Sequence, residues 1–202
     1  MQHNRVRICS WNLNGTTSDT RVIKPTLKVS ESGVKGCGHV AWAKVQSDNG
    51  NFGVVCIYAP QSEVQRAMLW NWLTILVAEG HWFIVGDLNM VGRADDPNCL
   101  APILEGNEVD SWKDLELAAD IVDCYTLATV RRGSRFTQVQ LNGNQVEMSR
   151  LDTIYLTCSG DWVDFVADIN HDAKADVSDH SPVIVEIKLA GSGETAMVGR
   201  LI

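Results

Sequence analysis

The chain has 202 residues, 45% hydrophobic and 21% charged, the make-up of one globular domain with enough length to bury a sizeable core. Its formal net charge of −8 counts against a simple electrostatic binder of nucleic acid, because phosphate affinity rests largely on Lys and Arg. No apolar run reaches the ~18 residues of a membrane span and the N-terminal stretch does not read as a secretory leader; the six cysteines are scattered without a Cys-x-x-Cys pair, which disfavours a zinc module and suits an intracellular protein, nuclear or cytoplasmic.

Arg5 to Leu13 reads as a strand ending at the turn signal Asn14-Gly15. Val40 to Val45 and Phe52 to Tyr58 flank Asp48-Asn49-Gly50-Asn51, the pattern of a hairpin closed by Asn-Gly. After Ala59-Pro60, Ser62 and Gln65 match a capping box, Val64, Met68, Trp72, Ile75 and Leu76 recur at helical spacing, and Gly80 ends the helix. Trp82 to Val85 is wholly apolar, as expected of a strand buried on both faces, and runs into Gly86-Asp87-Leu88-Asn89.

Met90 to Glu108 reads as a long polar loop, and Ser111 to Ala119 as a helix with Trp112, Leu115 and Ala119 on one face. Phe136 to Leu141 and Val146 to Thr157 flank Asn142-Gly143 as a second hairpin, followed by strands at Trp162 to Ile169 and Val183 to Leu189. Cys9, Cys56 and Cys158 lie in strand-like runs and are expected in the core. Arg131, Arg132 and Arg135 form the one basic cluster, a composition more typical of solvated surface. A single domain is expected over residues 1–190, with a disordered tail over 191–202. Strands outnumber helices, which predicts two packed sheets with helices outside them.

Polar groups stand at the ends of these apolar runs: Asn12 and Asn14, Tyr58, Asp87 and Asn89, Asp152 within Ser149-Arg150-Leu151-Asp152, and Asp179-His180 within Ser178-Asp-His-Ser-Pro182. Each has an ordinary explanation. Asn14-Gly15 makes a turn, Asp87 caps a loop, Asp152 pairs with Arg150, and Tyr58 fills the core. Together they offer carboxylates, amides, a phenol and an imidazole at strand ends, where a rigid scaffold gathers such groups around a substrate. Phosphate-ester chemistry needs oxygen ligands for a cation, a positioned nucleophile and a proton-handling group.

These segments, in this order, resemble the endonuclease/exonuclease/phosphatase superfamily. The matching motifs are Ile8-Cys-Ser-Trp-Asn-Leu-Asn-Gly15, Ile57-Tyr-Ala-Pro60, Gly86-Asp-Leu-Asn89, Ser149-Arg-Leu-Asp152 and Ser178-Asp-His-Ser-Pro182. Tyr-Ala-Pro before an Arg- and Trp-bearing helix, with Ser-Arg-Leu-Asp near the end, is most similar to the abasic-site-like endonuclease domain of non-long-terminal-repeat retrotransposons. The resemblance implies a four-layered α/β sandwich, two packed mixed sheets flanked by helices, and hydrolysis of a phosphodiester, with DNA as partner and Mg²⁺, or Mn²⁺, as cofactor.

Carried over residue by residue, Asp87 would orient and deprotonate the attacking water and Asn89 would help place it. Tyr58 would contact the phosphate, and Asn12 would sit between metal and phosphate. His180 would stabilise or protonate the phosphoryl oxygens, with Asp152 fixing its tautomer. Asp179 and Asn14 would face the metal.

The pattern breaks in one place. The family's first strand leads through a helix to a strand ending in a metal-binding glutamate, and between Gly15 and Tyr58 no apolar run ends in Gln-Glu. Glu31 is the one glutamate in Thr16 to Gly36 and the surrogate ligand to test. The resemblance therefore implies a member shortened in its N-terminal half, with a partly built site and impaired activity. Two other readings stay open: an inactive remnant that serves as a binding or structural module, and a small-molecule or lipid phosphatase of the same superfamily.

Overall fold

The computed structural model describes residues 4–10, 28–35, 39–47, 50–90, 106–128, 130–133, 136–142, 145–157, 166–171, 180–189 and 196–198. In chain order its elements begin with strands β1 (Asn4–Ser10), β2 (Lys28–Lys35), β3 (Val40–Ser47) and β4 (Gly50–Tyr58), helix α1 (Glu63–Leu76) and strand β5 (Trp82–Asp87). Helix α2 (Asn107–Ala119), strand β6 (Ile121–Asp123), the short helix α3 (Cys124–Leu127) and strands β7 (Val130–Gly133), β8 (Gln138–Asn142) and β9 (Gln145–Ser149) follow. The last four strands are β10 (Asp152–Thr157), β11 (Val166–His171), β12 (Val183–Leu189) and β13 (Ala196–Val198).

Two mixed sheets pack face to face. One runs β13-β1-β12-β11-β7 and the other β2-β3-β4-β5-β10-β6, while β8 and β9 form a separate hairpin. Strand alternation decides what lies between them. Along β4, Phe52 and Val54 face the inter-sheet core, which also holds Phe83, Val85, Ile154 and Leu156 of the same sheet and Ile8, Ile169, Val183, Val185 and Ile187 of the other. The alternate residues, Val55, Ile57, Trp82 and Ile84, face a second core with Trp70 and Leu73 of α1 and Trp112 and Leu115 of α2. Because β5 is packed on both faces, every residue from Trp82 to Asp87 is buried. The fold is thus the expected α/β sandwich, with α1 and α2 covering the outer face of the six-stranded sheet.

Several expectations are corrected. The buried stripe of α1 is Ala67, Leu69, Trp70 and Leu73, whereas Val64, Met68 and Ile75 are 72%, 68% and 78% exposed. The helix is apolar on most of its circumference, so spacing alone did not single out the inward face. Ser62 is the N-cap by backbone position, but its side chain makes no capping bond, and the helix ends at Val77, ahead of Gly80. Helix α2 begins at Asn107, earlier than Ser111. The run Val146 to Thr157 is two strands in different sheets, broken at Arg150-Leu151. Cys9 is exposed because its neighbour Ile8 takes the inward position, while Cys56 packs on the inter-sheet core and Cys158 lies outside the described residues. Strand β13 pairs parallel to β1 within the stretch after Gly191 that shows no periodicity.

Candidate active site

The register of the sheets brings the predicted groups to one rim. Strands β4 and β5 run parallel with Tyr58 opposite Asp87, and β10 runs antiparallel to β5 with Asp152 opposite Asp87. Tyr58, Asp87 and Asp152 are therefore neighbours on three adjacent strands. In the other sheet, Ser10 at the end of β1 lies opposite Val183 at the start of β12, three residues after His180. His180 closes the gap between the sheets: its Nδ1 lies 2.7 Å from Asp152 Oδ2, with His180 4% exposed and Asp152 fully buried. Ligand atoms of Asp87, Asp152 and His180 all lie within 4.8 Å of one another.

A carboxylate can only accept, so His180 Nδ1 carries the proton of this bond, and Nε2 is the ring's remaining nitrogen. Among the described residues the cluster holds two buried carboxyl groups and one imidazole. Asp152 Oδ1 is buried with no hydrogen-bond partner among the described residues, an uncompensated acceptor in a low-dielectric setting.

Local geometry explains the Gly-Asp-Leu-Asn sequence. Gly86 has φ +138, and a Cβ there would meet the Ile57 carbonyl oxygen at 1.8 Å, so only glycine lets β5 lie this close to β4. Asp87 Oδ1 accepts the Asn89 amide at 2.9 Å, so the loop-capping explanation for Asp87 holds alongside its place in the cluster. Asn89, at φ +47, donates its side-chain amide to the Ala59 carbonyl at 2.5 Å, which commits that amide to holding the Tyr-Ala-Pro turn. Tyr58 is 44% exposed at the rim, correcting the explanation that it fills the core.

The alternative pairing of Asp152 with Arg150 does not occur. Arg150 forms a two-pronged bond with Asp123, at 2.6 and 2.8 Å, and lies over the Tyr125 ring; burial works to lower its pKa, but the hydrogen bond and charge of Asp123 with the nearby Tyr155 and Tyr125 together outweigh it and raise the pKa. Arg131 donates to the Tyr125 and Thr126 carbonyls and Arg132 pairs with Asp168, both from exposed positions, and Arg135 lies outside the described residues.

Glu31 is a correction. It sits on edge strand β2 opposite Lys44, to which it is bonded at 2.8 Å, and the register continues through Gly53 to Trp82. Trp82 is the end of β5 away from Asp87, roughly 16 Å along the strand at about 3.3 Å per residue, and three strands separate Glu31 from β10. Glu31 is not brought to the cluster. Asn12, Asn14 and Asp179 lie outside the described residues.

Known structures share this architecture. An endonuclease/exonuclease/phosphatase family protein from Bacteroides thetaiotaomicron superposes with a TM-score of 0.55 at 18% identity, covering 81% of this chain and 66% of that one. The chain has the endonuclease/exonuclease/phosphatase fold. TDP2 from Caenorhabditis elegans matches with a TM-score of 0.60 at 12% identity, over 91% of this chain and 74% of that one. D. rerio TDP2, complexed with single strand DNA product, matches at 0.59 and 13% identity, over 90% and 98%. This chain thus spans just under two thirds of the Bacteroides family protein. No family model and no curated protein matches the sequence.

Two residues of the site were missed in the sequence. His39 donates from Nδ1 to the Tyr58 carbonyl at 3.1 Å, with its ring parallel to the Tyr58 ring 6.1 Å away. Thr137 is fully buried, and its Oγ1 accepts the backbone amides of both Leu151 and Asp152 at 3.0 Å. Neither belongs to a polar motif at the end of an apolar run, the signal that found the others.

Proposed function

We propose that the chain is a metal-dependent phosphodiester hydrolase, an endonuclease-like domain of retrotransposon origin that acts on DNA. The observation that carries this reading is the buried Asp152–His180 pair beside Asp87 at the rim of the sandwich. Asp87 serves as the base for an attacking water. His180, its tautomer held by Asp152, presents Nε2 to the phosphoryl group: protonated there from solvent before attack, it donates that N–H to a phosphoryl oxygen as charge develops, and the leaving oxygen takes its proton from water. Tyr58 contacts the phosphate from the neighbouring strand, Asn12 completes the substrate side, and Asn89, whose amide is committed to Ala59, offers its side-chain oxygen to the attacking water.

The donor set fits a divalent cation. Asp87 and Asp152 supply hard oxygen atoms, and Asp152 Oδ1 has no hydrogen-bond partner among the described residues. Asp179 and Asn14 are the further oxygen ligands assigned by their motifs. When bound, Mg²⁺ or Mn²⁺ would neutralise charge on the non-bridging oxygens of the phosphate. The retrotransposon origin and the DNA substrate rest on the Tyr-Ala-Pro and Ser-Arg-Leu-Asp motifs. Binding of DNA by a TDP2 of the same fold supports that substrate class.

Substrate competition tests the reading. Rates on a duplex oligonucleotide and on a phosphate monoester are measured in Mg²⁺ and in EDTA, over rising salt. The expected result is Mg²⁺-dependent diester cleavage with DNA binding that weakens as salt rises. Turnover of the monoester alone would replace this reading with a phosphatase, and salt-sensitive binding without cleavage would replace it with a binding module.

A further inference from the structure

The Asp152–His180 pair is built across a seam. Asp152 begins β10 in the six-stranded sheet, and His180 precedes β12 in the five-stranded sheet. Packing between sheets is non-directional and does not by itself hold two side chains at hydrogen-bond distance. Something must fix the backbone on both sides.

Thr137 touches both sides from a third element, the β8–β9 hairpin. Its amide donates to the Ser149 carbonyl at 2.9 Å, which ties it to the strand that leads into Asp152. Its Oγ1 accepts the amides of Leu151 and Asp152, each at 3.0 Å. Its carbonyl accepts the Ser181 amide at 2.6 Å, and the next residue, Gln138, bridges His180. Strand β6 accompanies β10 only from Tyr155 to Thr157, so the ladder on that flank stops short of Asp152. The threonine hydroxyl stands in for the missing strand and satisfies two amides that would otherwise be buried without an acceptor.

We propose that Thr137 is the positioning residue of the site: its hydroxyl sets the Leu151–Asp152 backbone and its carbonyl sets the His180–Ser181 backbone, so that the two side chains from different sheets meet as one pair. This inference rests on the reading of Asp152 and His180 as the proton-handling pair of a hydrolase. Thr137 is fully buried and its bonds run to the Leu151, Asp152, Ser149 and Ser181 backbones, so it acts through the pair these segments carry. Valine at this position keeps the shape and removes the acceptor; serine keeps the acceptor.

The test is the Nδ1 proton of His180, followed by NMR in the full chain alongside Thr137→Val and Thr137→Ser. Bonded to Asp152, this proton gives a downfield, slowly exchanging resonance. It is expected in the parent and in T137S and lost in T137V, whose core resonances stay native. On duplex DNA, kcat should fall in T137V by about 10²-fold, the cost of a small misplacement of catalytic groups, with KM little changed and T137S restored. A T137V chain that keeps the His180 resonance and kcat and merely melts earlier would overturn the inference. If T137V does not fold, amide exchange in the parent chain decides. Leu151 and Asp152 should be as protected as the centre of β10, and exchange at loop rates would overturn the proposal. Loss of the resonance in T137V from a chain that cleaves nothing would leave the positioning role standing and remove the hydrolase reading.

Discussion

His180 and Asp152 show how little room the site leaves for substitution. The imidazole is buried, its Nδ1 is bound to a carboxylate at 2.7 Å, and its tautomer follows from that partner alone. Asp152→Asn keeps the shape but offers an amide in place of a pure acceptor, so the ring is free to flip or to change tautomer. The expected result is a loss in kcat of about 10²-fold or more with the fold retained, measured as single-turnover cleavage beside a thermal melt. Undiminished cleavage by the variant would show that the pair is architectural. Asp87, Asp152 and His180 were legible in the sequence because each is a charged or titratable residue at the end of an apolar run. Thr137 was not, because a threonine opening a strand is ordinary and only the folded chain reveals what its oxygen accepts. Glu31 was misread because proximity in the chain says nothing of which end of a strand a side chain occupies.

At the scale of elements, the Tyr-Ala-Pro turn is held from behind by a buried ion pair. Arg66 of α1 binds Glu108 of α2 through two bonds, at 2.6 and 2.9 Å, with both side chains almost fully buried. The same guanidinium donates to the carbonyls of Pro60 at 3.1 Å and Gln61 at 2.7 Å, while the Trp70 indole donates to Glu108 at 3.3 Å. Helix α2 thus braces the turn that carries Tyr58. Removing one partner strands the other charge in a low-dielectric core, so Glu108→Ala should cost about 3–5 kcal/mol, read as a fall in the denaturation midpoint. Replacing both residues with apolar side chains should recover much of that loss. The role of Glu108 was not legible because residues 90 to 108 read as one polar loop. The α1 face was misassigned for a related reason: Arg66, polar by composition, points inward, and Met68 and Ile75 point outward. Partner chemistry decided which stripe is buried, and periodicity does not carry that information.

The whole molecule is a sandwich whose candidate site sits where its two sheets end together. Most of its strands were readable from alternation and turn signals, and β5 from its unbroken apolar run, since it is buried on both faces. The sheet order was not readable from periodicity, because register and crossovers depend on contacts distant in sequence. The family's glutamate has no counterpart in Glu31, so the proposed activity depends on Asp87 and Asp152, with Asp179 and Asn14, to supply the oxygen donors. Cleavage at this rim therefore needs both a bound cation and His180. Nicking of supercoiled plasmid by the full chain, with Mg²⁺ and with EDTA, beside His180→Ala, tests it most directly. The expected result is nicking that requires Mg²⁺ and falls by about 10²–10³-fold in H180A, the cost of one lost transition-state contact. An intact, folded chain that leaves the plasmid supercoiled in Mg²⁺, or one that nicks it equally well without His180, would contradict the account.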